Sequence, residues 1–481
     1  MISKHLNRVK SFQAALSAFI VFSLVMLPVK NGYILRWYDE MSIFLSGDIY
    51  LNRMLHYPGG ILQYAGSWLT QFMYYPWAGS GILIALWVIL TLLCDRTWRL
   101  REGLRSLSLL PAMFLLASVL VLDEAWVSIN YSGYLFAPTL GAICAVLIVL
   151  VTRVTGNAWL RGLFLTGCTA LFMALGFFAL LGVFAGILTM LFREKDHRDR
   201  KGTYIMIPII LTAAALVPLL YYNLYPGMTG DSNLIYLEGL PDLLMKRYDL
   251  YLWLPFAGMT VSFLMLPCLS VVRKGSTRKA DKSVWLAYAM LVATGCYGAI
   301  AGQKSEQFRA TVLMMQHIDT MRWDKIAYIM GHIKEPPNFT MKIAGNLAAI
   351  KMGGGTESVK HNAPTDKTSP RKSEEFLMSA FVNVPVYYHL GNTHGSYRWA
   401  MEHSVKYGTR VFYLKYMVRN SIKHGEPELA ARYNRLLMNT MFHRQWAEHF
   451  QRYIDNPELI KESPEFNSIP NNPSDLSLIH I

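Results

Sequence analysis

The segment Arg193-Glu-Lys-Asp-His-Arg-Asp-Arg-Lys201 decides how this chain is threaded. Before it lies an apolar run of 35 residues, 158–192, and after it another at 203–222. One bilayer crossing takes about 20 apolar residues, so the 35-residue run is too long for one crossing and short for two. Lys and Arg are costly to carry across a membrane, and loops rich in them stay on the cytoplasmic side. A single crossing would put Arg193–Lys201 on the outer side, opposite the basic loops that precede it. A tight hairpin of two short crossings, turning near Gly176, keeps all of them together.

Working outward, further apolar runs fall at 12–29, 77–94, 106–122, 134–152, 250–272 and 284–302, each close to the length of one crossing. The segments between alternate runs carry Lys4, Arg8, Lys10; Arg96, Arg99, Arg101, Arg105; Arg153, Arg161; the 193–201 cluster; and Arg273, Lys274, Arg278, Lys279, Lys282. The other loops, at 30–76, 123–133 and 223–249, hold only Lys30, Arg36, Arg53, Lys246 and Arg247, and they carry Asp39-Glu40, Asp123-Glu124 and the stretch Asp231 to Asp249. The expectation is a transmembrane domain over 1–302 of about nine spans, with a cytoplasmic N-terminus and a soluble block on the outer face. Eight or ten spans would put that block inside. Residues 12–28 follow a basic start but lead into Pro28, Lys30 and bulky Tyr33, Ile34 and Leu35 rather than a small-x-small site, so they read as an uncleaved first span.

Composition agrees. The chain has 481 residues, 53% hydrophobic and 16% charged, against about 25% charged for a soluble protein. The net charge of +14 does not point to nucleic acid, because 19 of the 46 basic residues sit in the cytoplasmic segments. From Gln303 onward, 22 basic residues face 17 acidic ones, a mild excess that fits a solvated helical surface or contact with anionic headgroups. The five cysteines, Cys94, Cys144, Cys168, Cys268 and Cys296, all lie in apolar runs, so packing alone must hold the soluble block.

The first outer loop is half apolar. Ile43, Phe44, Ile49, Tyr50, Leu51 and Leu55 precede a break at His56-Tyr-Pro-Gly-Gly60, and Leu62, Ala65, Trp68, Leu69, Phe72 and Met73 then recur at helical spacing. Two helices follow from this, lying along the membrane surface or packed on the bundle. In the third outer loop, Pro226-Gly227 and Gly230-Asp231 are turn chemistry, and a short helix is expected at 238–249.

The block at 303–461 reads as helices only: 306–319, 322–333, 338–351, 374–389, 393–407, 409–424, 426–440 and 442–454. Pro336-Pro337, Gly408 and Gly425 mark breaks, and 353–373 lacks apolar content and is expected to be a flexible loop. Successive short helices suggest stacked pairs, and Trp399-Ala400 with Tyr407-Gly408 resembles tetratricopeptide-type repeats without a clean 34-residue register. The tail, 462–481, has Pro464, Pro470 and Pro473 and no period. It reads as irregular, with part of a further repeat and its capping helix missing. The fold class is therefore all-α: a polytopic transmembrane bundle followed by an α-helical repeat domain.

The chemistry-bearing residues sit in the outer loops. Asp39 and Glu40 occur in Arg36-Trp-Tyr-Asp-Glu-Met41, about ten residues past the first span. A carboxylate there can take a proton from an acceptor hydroxyl or hold a divalent metal, the one cofactor this pattern suggests, against a donor phosphate. This arrangement is similar to the C-type glycosyltransferases. Those are polytopic enzymes with an acidic pair in a long first outer loop, and the resemblance implies transfer of sugar from a polyprenyl-phosphate donor. The plain alternative is a solvated acidic pair that anchors the span end. Asp123 and Glu124 close the third span on the same side and are candidates to assist, or simply mark a second span end. Arg36 and Arg53 are candidates for a lipid phosphate, Arg53 the stronger, whereas Lys246 and Arg247 fit snorkelling.

No charged residue lies at the centre of an apolar run, which argues against ion-coupled transport. His389, His394 and His403 fit no standard metal spacing, and Gly353-Gly354-Gly355 lacks the Lys-Ser/Thr of a phosphate loop. As a whole the chain resembles an uncharacterised family of polytopic inner-membrane proteins of Gram-negative bacteria. Arg36-Trp-Tyr-Asp-Glu-Met-Ser-Ile-Phe-Leu45, Tyr57-Pro-Gly-Gly60, Leu69-Thr-Gln-Phe72, Tyr75-Pro-Trp77 and Arg322-Trp-Asp-Lys-Ile326 carry that impression. Two functions remain in view: a polyprenyl-phosphate-dependent, glycosyltransferase-like enzyme at the periplasmic face, or a membrane-anchored scaffold whose repeats bind an envelope protein. Membrane lipid is a partner in both.

Overall fold

The computed structural model describes residues 2–101, 104–122, 131–193, 197–224, 232–241, 250–270, 277–302, 304–353 and 373–471. All named elements among these residues are helices. The first block comprises α1 (Ile2–Leu24), α2 (Gly32–Glu40), α3 (Asp48–Leu55), α4 (Gly60–Thr70), α5 (Pro76–Trp98), α6 (Leu110–Leu120), α7 (Ala137–Val154), α8 (Ala158–Thr169), α9 (Phe172–Leu175), α10 (Phe177–Arg193), α11 (His197–Leu224), α12 (Leu250–Ser270) and α13 (Thr277–Ala301). Among the described residues, five segments are long and apolar enough to cross a membrane: Phe12–Lys30, Pro76–Trp98, Ala137–Val154, Arg200–Leu224 and Leu252–Ser270. Arg105–Leu120, Phe177–Phe192 and Tyr288–Ala301 are apolar but shorter. The expected helix at 238–249, most of the loop at 353–373, and Asp123, Glu124, Lys246 and Arg247 fall wholly or largely outside the described residues.

The long apolar run divides at Gly176, which has φ 57° between α9 and α10. Gly59, at φ 78° between α3 and α4, meets the same point. A Cβ on Gly176 would lie 2.8 Å from the Cα of Gly239, and one on Gly59 would lie 2.9 Å from it. Only glycine tolerates both the left-handed backbone and this approach. Backbone hydrogen bonds lock the junction: Gly59 N–H donates to Met173 O (2.9 Å) and Phe177 N–H to Glu238 O (2.7 Å). Tyr131 adds its hydroxyl to Gly239 O at 2.8 Å. Four loops thus meet at one end of the bundle, and α4 packs inward on α7 and α9 through Leu62, Gly66 and Thr70.

The second block comprises α14 (Glu306–Asp319), α15 (Trp323–His332), α16 (Phe339–Lys351), α17 (Ser373–His389), α18 (Thr393–Tyr407), α19 (Val411–Lys423), α20 (Pro427–Met438), α21 (Arg444–Asp455) and α22 (Pro464–Asn467). Side-chain caps open four of them: Ser305 accepts from Phe308 N, Asn338 from Met341 N, Asn392 from Gly395 N and Ser463 from Phe466 N. From α17 to α21 each helix packs on the next in sequence. α17 also touches α19, and α19 touches α21, so α19 lies inside the stack. The chain beyond α21 folds back: Phe466 is buried against Phe450 and Tyr453. Lys351 donates to Ser468 O (2.7 Å) and Lys423 to Phe466 O (3.2 Å), holding this segment down.

The two blocks share one continuous hydrophobic core that runs from Phe19 and Trp37 to Phe450 and Phe466. α2 is the hinge piece: it packs on α14 and α19 of the second block and on α5 of the first.

Candidate functional site

α19 explains why a site forms where the blocks meet. Its sequence, Val411-Phe-Tyr-Leu-Lys-Tyr-Met-Val-Arg-Asn-Ser-Ile-Lys423, is largely apolar, and every residue from Val411 to Ile422 is buried. Lys415 and Arg419 stand four residues apart, hence on one face, inside this buried helix. A buried charge must be paired or it neutralises, and the partners come from three other elements. Lys415 Nζ donates to Glu40 Oε1 of α2 at 3.2 Å and lies 3.9 Å from Asp319 Oδ2 of α14. Arg419 Nη1 donates to Asp319 Oδ1 at 2.6 Å. Its Nε lies 2.8 Å from Glu465 Oε1 of α22, an ion-pair contact whose alignment is too poor for a hydrogen bond. Tyr388 donates to the same Glu465 oxygen at 3.2 Å. The guanidinium of Arg419 also sits over the rings of Tyr416, Trp446 and Phe450, at 5.1 to 5.6 Å.

Burial and pairing pull against each other here. Desolvation pushes the Asp319 carboxyl up, but Arg419 and Lys415 outweigh it and hold it well below the usual carboxylate range. Burial likewise disfavours charged Lys415 and Arg419, yet their carboxylates keep both above their ordinary values. All three stay ionised at neutral pH.

Beside this chain of ion pairs lies a second contact between the blocks. Asp39, at the end of α2, is 3% exposed, and its Oδ2 is 3.0 Å from His443 Nε2 at the start of α21. Desolvation raises the Asp39 carboxyl above its ordinary range; the hydrogen bond and charge of His443 offset this in part. The pair opens on a small recess, lined also by Ser42, Gln71, Val411 and Thr440. Backbone contacts clamp its rim: Val411 N–H donates to Ser42 O (3.3 Å) and Met441 N–H to Gln71 Oε1 (3.2 Å). A carboxylate that orients an imidazole beside a recess can move a proton.

The acidic pair is therefore not the solvated anchor that a span end suggests. Asp39 is buried, Glu40 is largely so, and both are engaged by the second block. Arg36 is exposed, its guanidinium 5.4 Å over the Tyr74 ring, which in turn meets His443 edge-on at 5.3 Å. Arg53 is exposed in the last turn of α3, and no described contact brings it to the recess. The three histidines do not converge. His389 meets Trp323, His394 stacks on His424, and His403 packs on Phe381. Among the described residues, no group of three or more His, Cys, Asp or Glu side chains is arranged to hold a metal ion.

Sequence reasoning missed Lys415, Arg419, Asp319, Glu465 and His443. The available signal was α19 itself, a largely apolar helix with two cations in its middle.

The model of a family of unknown function (DUF6057) matches residues 5–475 of the chain. No curated protein and no solved structure matches it.

Proposed function

From the premise that the chain belongs to this family of unknown function, we propose that it is a membrane-seated platform. On this reading about nine spans of a bacterial inner membrane carry a tetratricopeptide-like domain on the periplasmic face, with the N-terminus cytoplasmic. The helical domain is offered, in a fixed orientation, to an envelope protein. One observation carries the proposal: both carboxylates of the Asp39-Glu40 pair, the best catalytic candidates in the sequence, are committed to contacts that fasten the second block to the first. Buried ionic groups of this kind fix geometry more than they add stability.

A second reading keeps a specific observation of its own. The Asp39–His443 pair lines a recess with two hydroxyl side chains, Ser42 and Thr440. It therefore suits a general base for transfer from a polyprenyl-phosphate sugar, with Arg36 toward the phosphate and Asp123 and Glu124 as candidates to assist. A divalent metal belongs to this reading alone.

One experiment separates them. The full chain and its Asp39→Asn variant are purified in mild detergent and compared by native mass spectrometry and thermal melting. The platform reading expects only bulk phospholipid in both proteins and a lower melting temperature in the variant. A polyprenyl-phosphate species held by the wild type and lost from an equally stable variant overturns it in favour of the transferase.

A further inference from the structure

The corner between α20 and α21 reaches down to where a spanning helix begins. α5 starts at Pro76, and Tyr75 and Trp77 beside it are 57% and 61% exposed. Exposed Tyr and Trp at the start of an apolar helix sit at headgroup level. Phe442, from the corner, stacks on Tyr74 at 5.5 Å with an interplanar angle of 11°, and meets Tyr75 edge-on at 5.5 Å. Met441 precedes it, 47% exposed, fixed by its N–H to Gln71. On the same Tyr74 ring lies the Arg36 guanidinium, exposed and paired with no carboxylate among the described residues. Side chains from both blocks thus form one patch, apolar and aromatic with a single cation at its edge. The patch is continuous with the outward side of α5, where Ile89 and Leu92 are also exposed.

We infer that this patch rests on the bilayer surface and takes an anionic phospholipid headgroup. Arg36 meets the phosphate, Met441 enters the upper acyl region, and Tyr75 and Trp77 flank it. The helical domain is thereby seated on lipid as well as on protein. Charge selects the occupant: a protein partner would leave Arg36 to find a carboxylate, whereas an anionic leaflet supplies phosphate at the level the aromatic pair defines. The inference rests on the reading of the first block as membrane-embedded.

The test uses the full-length chain in nanodiscs of phosphatidylethanolamine and phosphatidylglycerol. A photo-crosslinking benzoylphenylalanine replaces Leu92, Met441 or Val405 in turn; Val405, 82% exposed on α18, is the reference away from the patch. Lipid adducts are read by mass spectrometry. The expected result is adducts from positions 92 and 441 and only background from 405, with Arg36→Gln removing the preference for phosphatidylglycerol at 441. Adducts from 92 without 441 overturn the inference and leave the membrane reading standing. Adducts from neither overturn both. Equal adducts at 405 and 441, or a glycerol preference untouched by Arg36→Gln, also overturn it.

Discussion

Arg419→Met removes the cation that bridges Asp319 and Glu465 while keeping most of the stem that packs on Tyr416, Trp446 and Phe450. In the native protein, Glu40, Asp319 and Glu465 face Lys415 and Arg419, whose side chains are 6% exposed. After the substitution Glu40 and Asp319 share one lysine, and Glu465 has no cation within ion-pair range among the described residues. Breaking a buried pair from one side costs about 3–5 kcal/mol, because the abandoned charge stays out of water. For a domain of this size each kcal/mol lowers the melting temperature by roughly 2–4 °C, so a drop of about 10 °C is expected. Asp319 also loses the main attraction that outweighs its burial, so its carboxyl rises, and protonation at lower pH neutralises the stranded charge: the variant's deficit against wild type should shrink as pH falls. The assay is a fluorescence melt of the full chain in mild detergent at neutral and mildly acidic pH. Arg419→Lys, which keeps the charge but not the planar fork, should fall between the two. A melting temperature within about 1 °C of wild type, or a deficit that does not shrink as pH falls, would refute the reasoning, since no buried charge could then have been stranded.

Three further outcomes are expected. Burial holds His389 well below its ordinary value of 6.5, with Lys351 and Arg419 adding to the effect. Burial likewise brings His403 down to about 4. Both folded values lie under the unfolded one, so the stability they contribute is present above pH 6.5 and is lost as pH falls toward 4. At pH 5 the His403 shift costs about 2 kcal/mol, His389 acts in the same direction, and a melting temperature flat from pH 7 to pH 5 would contradict this. Asp39 behaves oppositely: its raised carboxyl favours the protonated folded state at low pH, and that contribution is lost as pH rises through its folded value. Asp39→Asn should therefore reduce the variation of stability with pH in the acid range, as melts across that range would show. Gly176→Ala forces a Cβ to 2.8 Å from the Cα of Gly239 at a positive φ. It should abolish the monodisperse peak in size-exclusion chromatography, whereas Gly167→Ala, which meets nothing within 4 Å, should elute as wild type.

The helices of the second block could be read in the sequence almost residue by residue. Ser305, Asn338 and Asn392 supply caps, Pro336-Pro337 and the glycines at 408 and 425 supply stops, and apolar spacing supplies the faces. The break at Gly176 was legible too, because length and charge together demand it. The pairing of Asp39 with His443 and of Glu40 with Lys415 was not. Each joins residues hundreds of positions apart, and nothing local in Arg36-Trp-Tyr-Asp-Glu-Met41 distinguishes a carboxylate facing water from one facing a buried lysine. Only the composition of α19 carried a hint, since a cation in a largely apolar helix needs a partner from elsewhere.

The central claim is that the two blocks are fastened through Glu40 and Lys415. A double-mutant cycle tests it most directly, with Glu40→Gln, Lys415→Met and the double variant melted in the full-length chain. Residues in one buried ion-pair network couple by about 0.5–3 kcal/mol. The account predicts that the double variant is more stable than the sum of the single losses requires, by an amount in that range, because neither charge is then left alone. Strictly additive losses would mean that Glu40 and Lys415 do not sense each other, and the fastening would have to be sought elsewhere.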